Sequence, residues 1–320
     1  MKLATLKDGS RDGQLVVVSR DLATAHYATG IAHRLQQVLD DWGFMAPQLQ
    51  DLYDTLNAGR ARHPFPFDAQ HCMAPLARAF QCLQGVPEQS PRAEPTLHQV
   101  SGDALLGVGD RLVLADTALG LDLGAGVAVI VGDLAAGSTA AQALDGVRLV
   151  TLANTWVLRG AQRWERAAGQ TPLRSRPATS LGPVAVTLDE LGTDWQDGRV
   201  ALTLHVSLNG RKLGLCDAAA GMPHSFGDLL AQACATRPLR AGSVLCSGPL
   251  LSDGPRGHAS LASKHRANAT ATPNAGAQTE PEVDGGGLQA GDSVQLELKA
   301  RDGSSPLGRM LQEVMVTGVP

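Results

Sequence analysis

Aromatic residues are scarce: Phe, Trp and Tyr together make up 3% of the 320 residues. The core must therefore be assembled from Leu, Val and Ala, with few rings as anchors. A surplus of one charge is missing as well. The chain has 27 basic and 31 acidic residues, a net charge of −4, which leaves no electrostatic footprint for nucleic acid or an anionic membrane. No apolar run is long enough for a membrane span, because the most apolar stretch, Val127 to Val131, sits between Asp122 and Asp133. The cysteines, Cys72, Cys82, Cys216, Cys234 and Cys246, are odd in number and form no CxxC pair. They read as reduced thiols of a cytoplasmic chain. The opening Met1-Lys2, soon followed by Lys7, Asp8, Arg11 and Asp12, lacks the apolar region of a signal peptide. A cytoplasmic location is expected.

Common catalytic signatures are absent too. There is no GxSxG elbow and no Walker loop. Gly124-Ala125-Gly126 begins like a dinucleotide fingerprint, but Val129 stands where the third glycine belongs and no helical pattern follows. His63, His71 and Cys72 match no zinc spacing and fit a surface loop better. His205 falls on the polar face of its strand, where solvation accounts for it.

What is present is a mixed pattern. Leu15 to Val18 is a β-branched run. Ile31, Leu35, Val38 and Trp42 recur at helical spacing, as do Leu49, Leu52, Tyr53 and Leu56, with Asn57 and Gly59 as a stop signal. His63-Pro64-Phe65-Pro66-Phe67 cannot continue a helix, since each proline removes a donor and restricts its predecessor. A domain boundary is expected just beyond it, giving a small N-terminal α/β domain over residues 1–75 and a second domain over 76–320. From about residue 110 the pattern turns to β. Val127 to Val131 reads as a central strand buried on both faces. Val200, Leu202, Leu204, Val206 and Leu208 alternate with polar residues, and Asn209-Gly210 then predicts a hairpin back along Arg211 to Cys216. Val294, Leu296 and Leu298 alternate before a turn at Asp302-Gly303. Ser225 and Asp228 form a capping box for a helix carrying Phe226, Leu229 and Leu230. There is no βαβ rhythm, so the class is α+β and β-rich. Residues 253–289 hold only Leu261, Val283 and Leu288 as sizeable apolar groups and read as a flexible loop or insert.

Several of these segments resemble the fumarylacetoacetate hydrolase family, in its bacterial branch, over nearly the whole chain. Met1 to Gly9 is similar to its N-terminal domain. Cys72-Met73-Ala74-Pro75-Leu76-Ala77-Arg78-Ala79-Phe80-Gln81 resembles the entrance to its catalytic domain. Leu144-Asp145-Gly146, then Asn154, Trp156, Arg159, Gln162, Trp164 and Glu165, follow its long helical motif. Ser175-Arg176-Pro177-Ala178-Thr179 with Pro183 resembles its lysine-bearing segment, and Ala241-Gly242-Ser243, Ser247-Gly248 and Gly291-Asp292 its later glycine landmarks. The order and spacing of these pieces make the resemblance specific. It implies the family's β-rich roll behind the N-terminal domain, and a tendency to dimerise.

The resemblance also implies a chemistry. Family members cleave a carbon–carbon bond in acylpyruvate-like diketo acids, with decarboxylases and isomerases among them. They use a divalent cation held by four carboxylates, a histidine oriented by a glutamate to activate water, and a lysine beside the metal. This sequence departs at each of those places. Gln84 stands for the first aspartate, Pro91 for the histidine, Gly124 and Gly126 for the paired glutamates, and Thr155 for the last aspartate. Arg176 stands for the lysine, Pro249 for a threonine and Ser263 for the late glutamate. No metal ligand, no cofactor and no catalytic residue are therefore expected.

Arg159 and Gln162 match residues that line the substrate side of the family's pocket, and at helical spacing i and i+3 both can face one cavity. Arg176 adds a cation able to clasp a carboxylate. A surviving pocket for a small carboxylate, lined by Arg159, Gln162 and Arg176, is one reading; loop-holding hydrogen bonds from the two arginines are the other. The expected role is that of a catalytically inactive homologue, a binding or regulatory paralogue forming a homodimer or pairing with an active relative. The alternative is a hydrolase or decarboxylase acting on acylpyruvate-like diketo acids without metal through Arg159, Arg176 and His98.

Overall fold

The computed structural model of the chain describes residues 1–86, 94–252, 257–270 and 287–317. Its centre is the β-branched run Ala125–Val131, buried at every position. This strand pairs antiparallel with Val147–Thr155 on one side and with Val244–Cys246 on the other. Val244–Cys246 continues in parallel to Cys82–Gly85, which pairs with Leu97–Val100 at the sheet's end. Toward the other end, Val147–Thr155 meets Ala185–Val186, and the sheet passes directly into the N-terminal strands Lys2–Leu6, Gln14–Val18 and Thr24–Tyr27. Eleven strands result. A second sheet of five holds Arg211–Asp217, Thr203–Leu208, Ser293–Lys299, Arg309–Val316 and Leu112–Leu114 in that order. The α+β, strand-rich class expected from the sequence is what the structure has.

Local chemistry explains the connections. Asn209 and Gly210 adopt φ of 51° and 72°, the left-handed pair that a type I′ hairpin needs, and Thr203–Leu208 turns back through them into Arg211–Asp217. The helix Phe226–Ala233 starts at the expected capping box: Ser225 Oγ accepts from the Asp228 amide, and the Asp228 carboxylate accepts from the Ser225 amide at 2.9 Å. The two N-terminal helices are Leu35–Asp40 and Trp42–Asn57, and the second buries Leu49, Tyr53 and Leu56. Their apolar face joins Leu3, Leu15 and Val17 in one cluster with Ala128, Ile130 and Leu149 of the central strands. The N-terminal unit and the sheet thus share a core. Polar ties cross the same seam: Tyr53 Oη donates to Glu190 Oε2 at 2.7 Å, and Lys2 Nζ donates to the Pro306 carbonyl at 2.6 Å.

Four details differ from the sequence reading. The stretch from Leu144 to Glu165 is not one long helix: Val147–Thr155 is a buried strand, and only Arg159–Ala167 is helical. Its β-branched and apolar run favours a central strand over a helix. Val200 belongs to a small hairpin, Trp195–Gln196 with Arg199–Val200, and the long alternating strand begins at Thr203. Cys72 is fully buried and bridges Leu6, so it does not sit on a surface loop. Within residues 253–289, the described part is not all loop, because Leu261–Thr270 is a helix with Leu261 buried. Residues 253–256 and 271–286 lie outside the described residues. Among the described residues no helix is long and apolar enough to cross a membrane.

Candidate functional site

Three elements converge on a pocket of about 80 Å³: the strand end at Gln84, the helix Arg159–Ala167 and the start of the helix Leu261–Thr270. Arg159, Gln162 and Arg176 all line it, so the structure brings together the three residues singled out for substrate binding. Arg166, Arg266, Pro249, Ser260 and Ser263 also border the space.

Arg159 opens its helix and reaches Asp122 of the strand Leu121–Asp122. Its Nε and Nη2 donate to Asp122 Oδ2 at 2.9 and 2.6 Å, and its Nη1 donates to Gln162 Oε1 at 2.9 Å. Asp122 is fully buried. It also accepts from the amides of Leu261 at 2.7 Å and Ala262 at 3.1 Å, the first amides of the helix over the pocket. Those amides have no intrahelical acceptor, and a carboxylate suits the positive end of a helix. Arg159 is thus committed to a carboxylate of its own chain. It neither holds a loop through backbone carbonyls nor offers a vacant fork.

Arg176 is delivered differently. Glu165, 2% exposed, turns Oε1 to the amides of Leu173, Arg174 and Ser175 at 2.9, 2.6 and 3.2 Å, folding the loop that carries the arginine. Burial acts to raise the Glu165 pKa, but hydrogen bonds from Ser175 and from the three amides outweigh it and hold the carboxyl below its ordinary value. Arg176 itself is half-buried, and its Nε has no hydrogen-bond partner among the described residues. Burial first, then the charges of Arg159 and Arg166, push its pKa down to about 10. It remains a cation at neutral pH, in a place that favours an anion beside it.

His98 lies on the strand Leu97–Val100, opposite Gln84. Burial, Arg176 and Arg166 push its pKa down to about 4, so the ring is neutral at pH 7. Its Nδ1 is buried without a partner among the described residues.

The positions where the resemblance places metal ligands are packed against one another. Gln84 Nε2 donates to Thr155 Oγ1 at 3.1 Å, and Thr155 Oγ1 donates to the Gly124 carbonyl at 3.2 Å. A Cβ added to Gly124 would fall 2.5 Å from Thr155 Oγ1, and one added to Gly126 would overlap the Gly248 carbonyl and Ser247 Oγ. The space a glutamate side chain would need is filled. The set of groups is also wrong for a hard cation, with one amide, one hydroxyl and no carboxylate at the four positions. The nearby carboxylate, Asp122, already has both oxygens hydrogen-bonded. Among the described residues no three His, Cys, Asp or Glu side chains converge on a point. These residues do not fit a divalent cation. Ser263 and Pro249 do border the pocket, whereas Pro91 lies outside the described residues.

Asp122 and Glu165 position Arg159 and the loop of Arg176, and reading for ligands passed over both. A carboxylate three residues ahead of a run as apolar as Ala125–Val131 was the available signal for Asp122, since a buried charge demands partners. Gln84 and Glu165 stand in the segments that carry the family resemblance, but nothing in the sequence gives their contacts with Thr155 and with the loop amides.

Comparison with the curated proteins gives no match. Among solved structures, maleylpyruvate hydrolase from Sphingobium sp. SYK-6 is similar, at 17% identity and TM-score 0.66, covering 99% of this chain and 100% of its own. The 5-carboxymethyl-2-hydroxymuconate delta-isomerase of Mycobacterium smegmatis (16% identity, TM-score 0.61) and the 2-hydroxyhepta-2,4-diene-1,7-dioate isomerase of Mycobacterium marinum (16%, TM-score 0.60) each match over 100% of both chains. At such identities these likenesses establish the fold. Family models add the sequence itself: fumarylacetoacetase N-terminal domain 2 matches residues 1–78, and the fumarylacetoacetate hydrolase C-terminal model matches residues 68–315. With the two models spanning nearly every residue, this chain belongs to the fumarylacetoacetate hydrolase family.

Proposed function

We propose that this chain holds a small carboxylate in the pocket of Arg159, Gln162 and Arg176, and that it does not perform metal-dependent carbon–carbon cleavage. The observation that supports this most is the contact of Thr155 with Gly124, which occupies the volume a metal-binding glutamate would need. Without such ligands, no cation stabilises an enolate, and several kcal/mol of charge stabilisation are lost. Arginine does not substitute as a base, because it stays protonated. Arg176, with an unpartnered buried Nε, supplies the attraction for an anion.

The test is hydrolysis of acetylpyruvate by micromolar protein with excess Mg²⁺ or Mn²⁺, followed as loss of enol absorbance. The expected trace matches buffer; metal-dependent turnover that co-purifies with the chain overturns the proposal. A binding chain of this kind would act as a homodimer or beside an active relative. Pull-down from native lysate checks that role, and recovery of itself alone counts against the heteromer.

One observation favours a second reading, hydrolysis or decarboxylation of a diketo acid without metal. His98 is neutral at pH 7 with an unpartnered Nδ1, and Arg176 is near enough to depress its pKa. A group titrating near 4 is a weak base, which places this reading second. Metal-independent turnover lost in His98→Asn would establish it.

A further inference from the structure

The pocket pairs cationic donors with one buried acceptor that has nothing to accept. Gln84 is 2% exposed, lines the pocket, and has no partner for its Oε1 among the described residues. The orientation of this amide follows from its neighbour. Thr155 Oγ1 gives its proton to the Gly124 carbonyl and so can only accept from Gln84, which turns Nε2 toward Thr155 and Oε1 away. Gln162 is oriented by the same logic. Its Oε1 takes the proton of Arg159 Nη1, so Nε2, a donor, is the end left for the cavity.

A ligand that satisfies all three groups needs acceptor oxygens for Arg176 and Gln162, and a proton to give to Gln84. A carboxylate alone meets the first demand only. A 2-oxo acid adds another acceptor and sets it against Gln84 Oε1, where a buried acceptor facing an acceptor is penalised. A 2-amino acid offers protons but brings a cation beside Arg176, whose Nε has no partner among the described residues. A 2-hydroxy acid carries a carboxylate and an adjacent O–H without added positive charge. The cavity, about 80 Å³, favours a compact acid.

We infer that the ligand is a short 2-hydroxy carboxylate whose hydroxyl donates to Gln84 Oε1 while its carboxylate meets Arg176 and Gln162. This rests on the carboxylate pocket proposed above. It reverses the polarity of the family's site, since a cation there takes lone pairs whereas Gln84 Oε1 accepts a hydrogen bond.

Calorimetry on the full chain with D-lactate, L-lactate, pyruvate and propionate tests it. One lactate enantiomer is expected to bind about ten- to a hundredfold tighter than pyruvate or propionate, the usual effect of pairing or orphaning a buried polar group. Gln84→Met, close in volume, should erase that preference, and Arg176→Met should weaken all four acids. Pyruvate binding as tightly as both lactates in the unmodified protein overturns the 2-hydroxy acid assignment while leaving the carboxylate pocket standing. No heat from any acid at millimolar concentration overturns both.

Discussion

Asp122 and Arg159 meet through a single oxygen: Arg159 Nε and Nη2 both donate to Asp122 Oδ2, at 2.9 and 2.6 Å. The same buried carboxylate receives the Leu261 and Ala262 amides. One anion therefore holds the helix below the pocket and the helix above it. Asp122→Ala would leave a mostly buried guanidinium and two helix amides without their acceptor. We expect a loss of about 3–5 kcal/mol, read as a lower urea midpoint at unchanged slope, with Asp122→Asn losing less.

Gly124→Ala tests the packing of the former ligand positions. Its Cβ would stand 2.5 Å from Thr155 Oγ1 and 2.6 Å from the Thr155 carbonyl. Overpacking of this kind costs about 1–3 kcal/mol. Adding Thr155→Ala relieves only the first contact, so the double variant should recover part of the loss. Gly124→Glu should fail to create a site, and titration of Mn²⁺ followed by electron paramagnetic resonance should show no binding.

Glu165 should matter to stability and to the pocket together. It accepts three amides from the loop leading to Arg176. Hydrogen bonds to a charged acceptor are worth about 1.5–3 kcal/mol, so Glu165→Ala should lower stability by an amount of that order and weaken carboxylate binding. Its pKa is held down in the folded state. The stabilisation is therefore complete above the ordinary carboxylate range and fades as pH falls through the lowered value. Glu165→Gln should flatten that acid limb in denaturation curves.

His98 sets a second pH dependence of its own. Its folded pKa of about 4 lies below an unfolded value near 6.5. Between these, the unfolded chain takes up a proton that the folded chain refuses, so stability drops as pH falls from about 6.5 toward 4. The full difference is discounted because the ring is only half-buried. His98→Asn should remove about 1–2 kcal/mol of the change between pH 7 and pH 4.5, visible as converging denaturation midpoints.

Elements with a local cause were readable before any coordinates. The Asn209-Gly210 hairpin, the Ser225–Asp228 capping box and the buried strand to Val131 each follow from side chains adjacent in sequence. The strand Val147–Thr155 was not, because its neighbours Ala125–Val131 and Thr179–Leu181, which make it a strand, are remote in the chain. The pocket divides the same way. Arg159 and Gln162 share a face by helical spacing, but the Asp122 carboxylate that engages Arg159 is 37 residues away. Gln84 and Thr155, 71 residues apart, are joined only by the fold. The helix Leu261–Thr270 was hidden by its weakly apolar composition, and its first amides are held by a carboxylate 139 residues distant.

The direct pairing of Lys2 with Val186 and Leu3 with Ala185 carries one sheet across the boundary expected near residue 75. A cut there would strip Ala185–Val186 of one hydrogen-bonding neighbour and bare the apolar flank of the central strands. Each fragment would present a sticky sheet margin able to recruit further copies. Attempts to produce either piece alone should give aggregates, whereas co-expressing the two should restore a soluble, split protein.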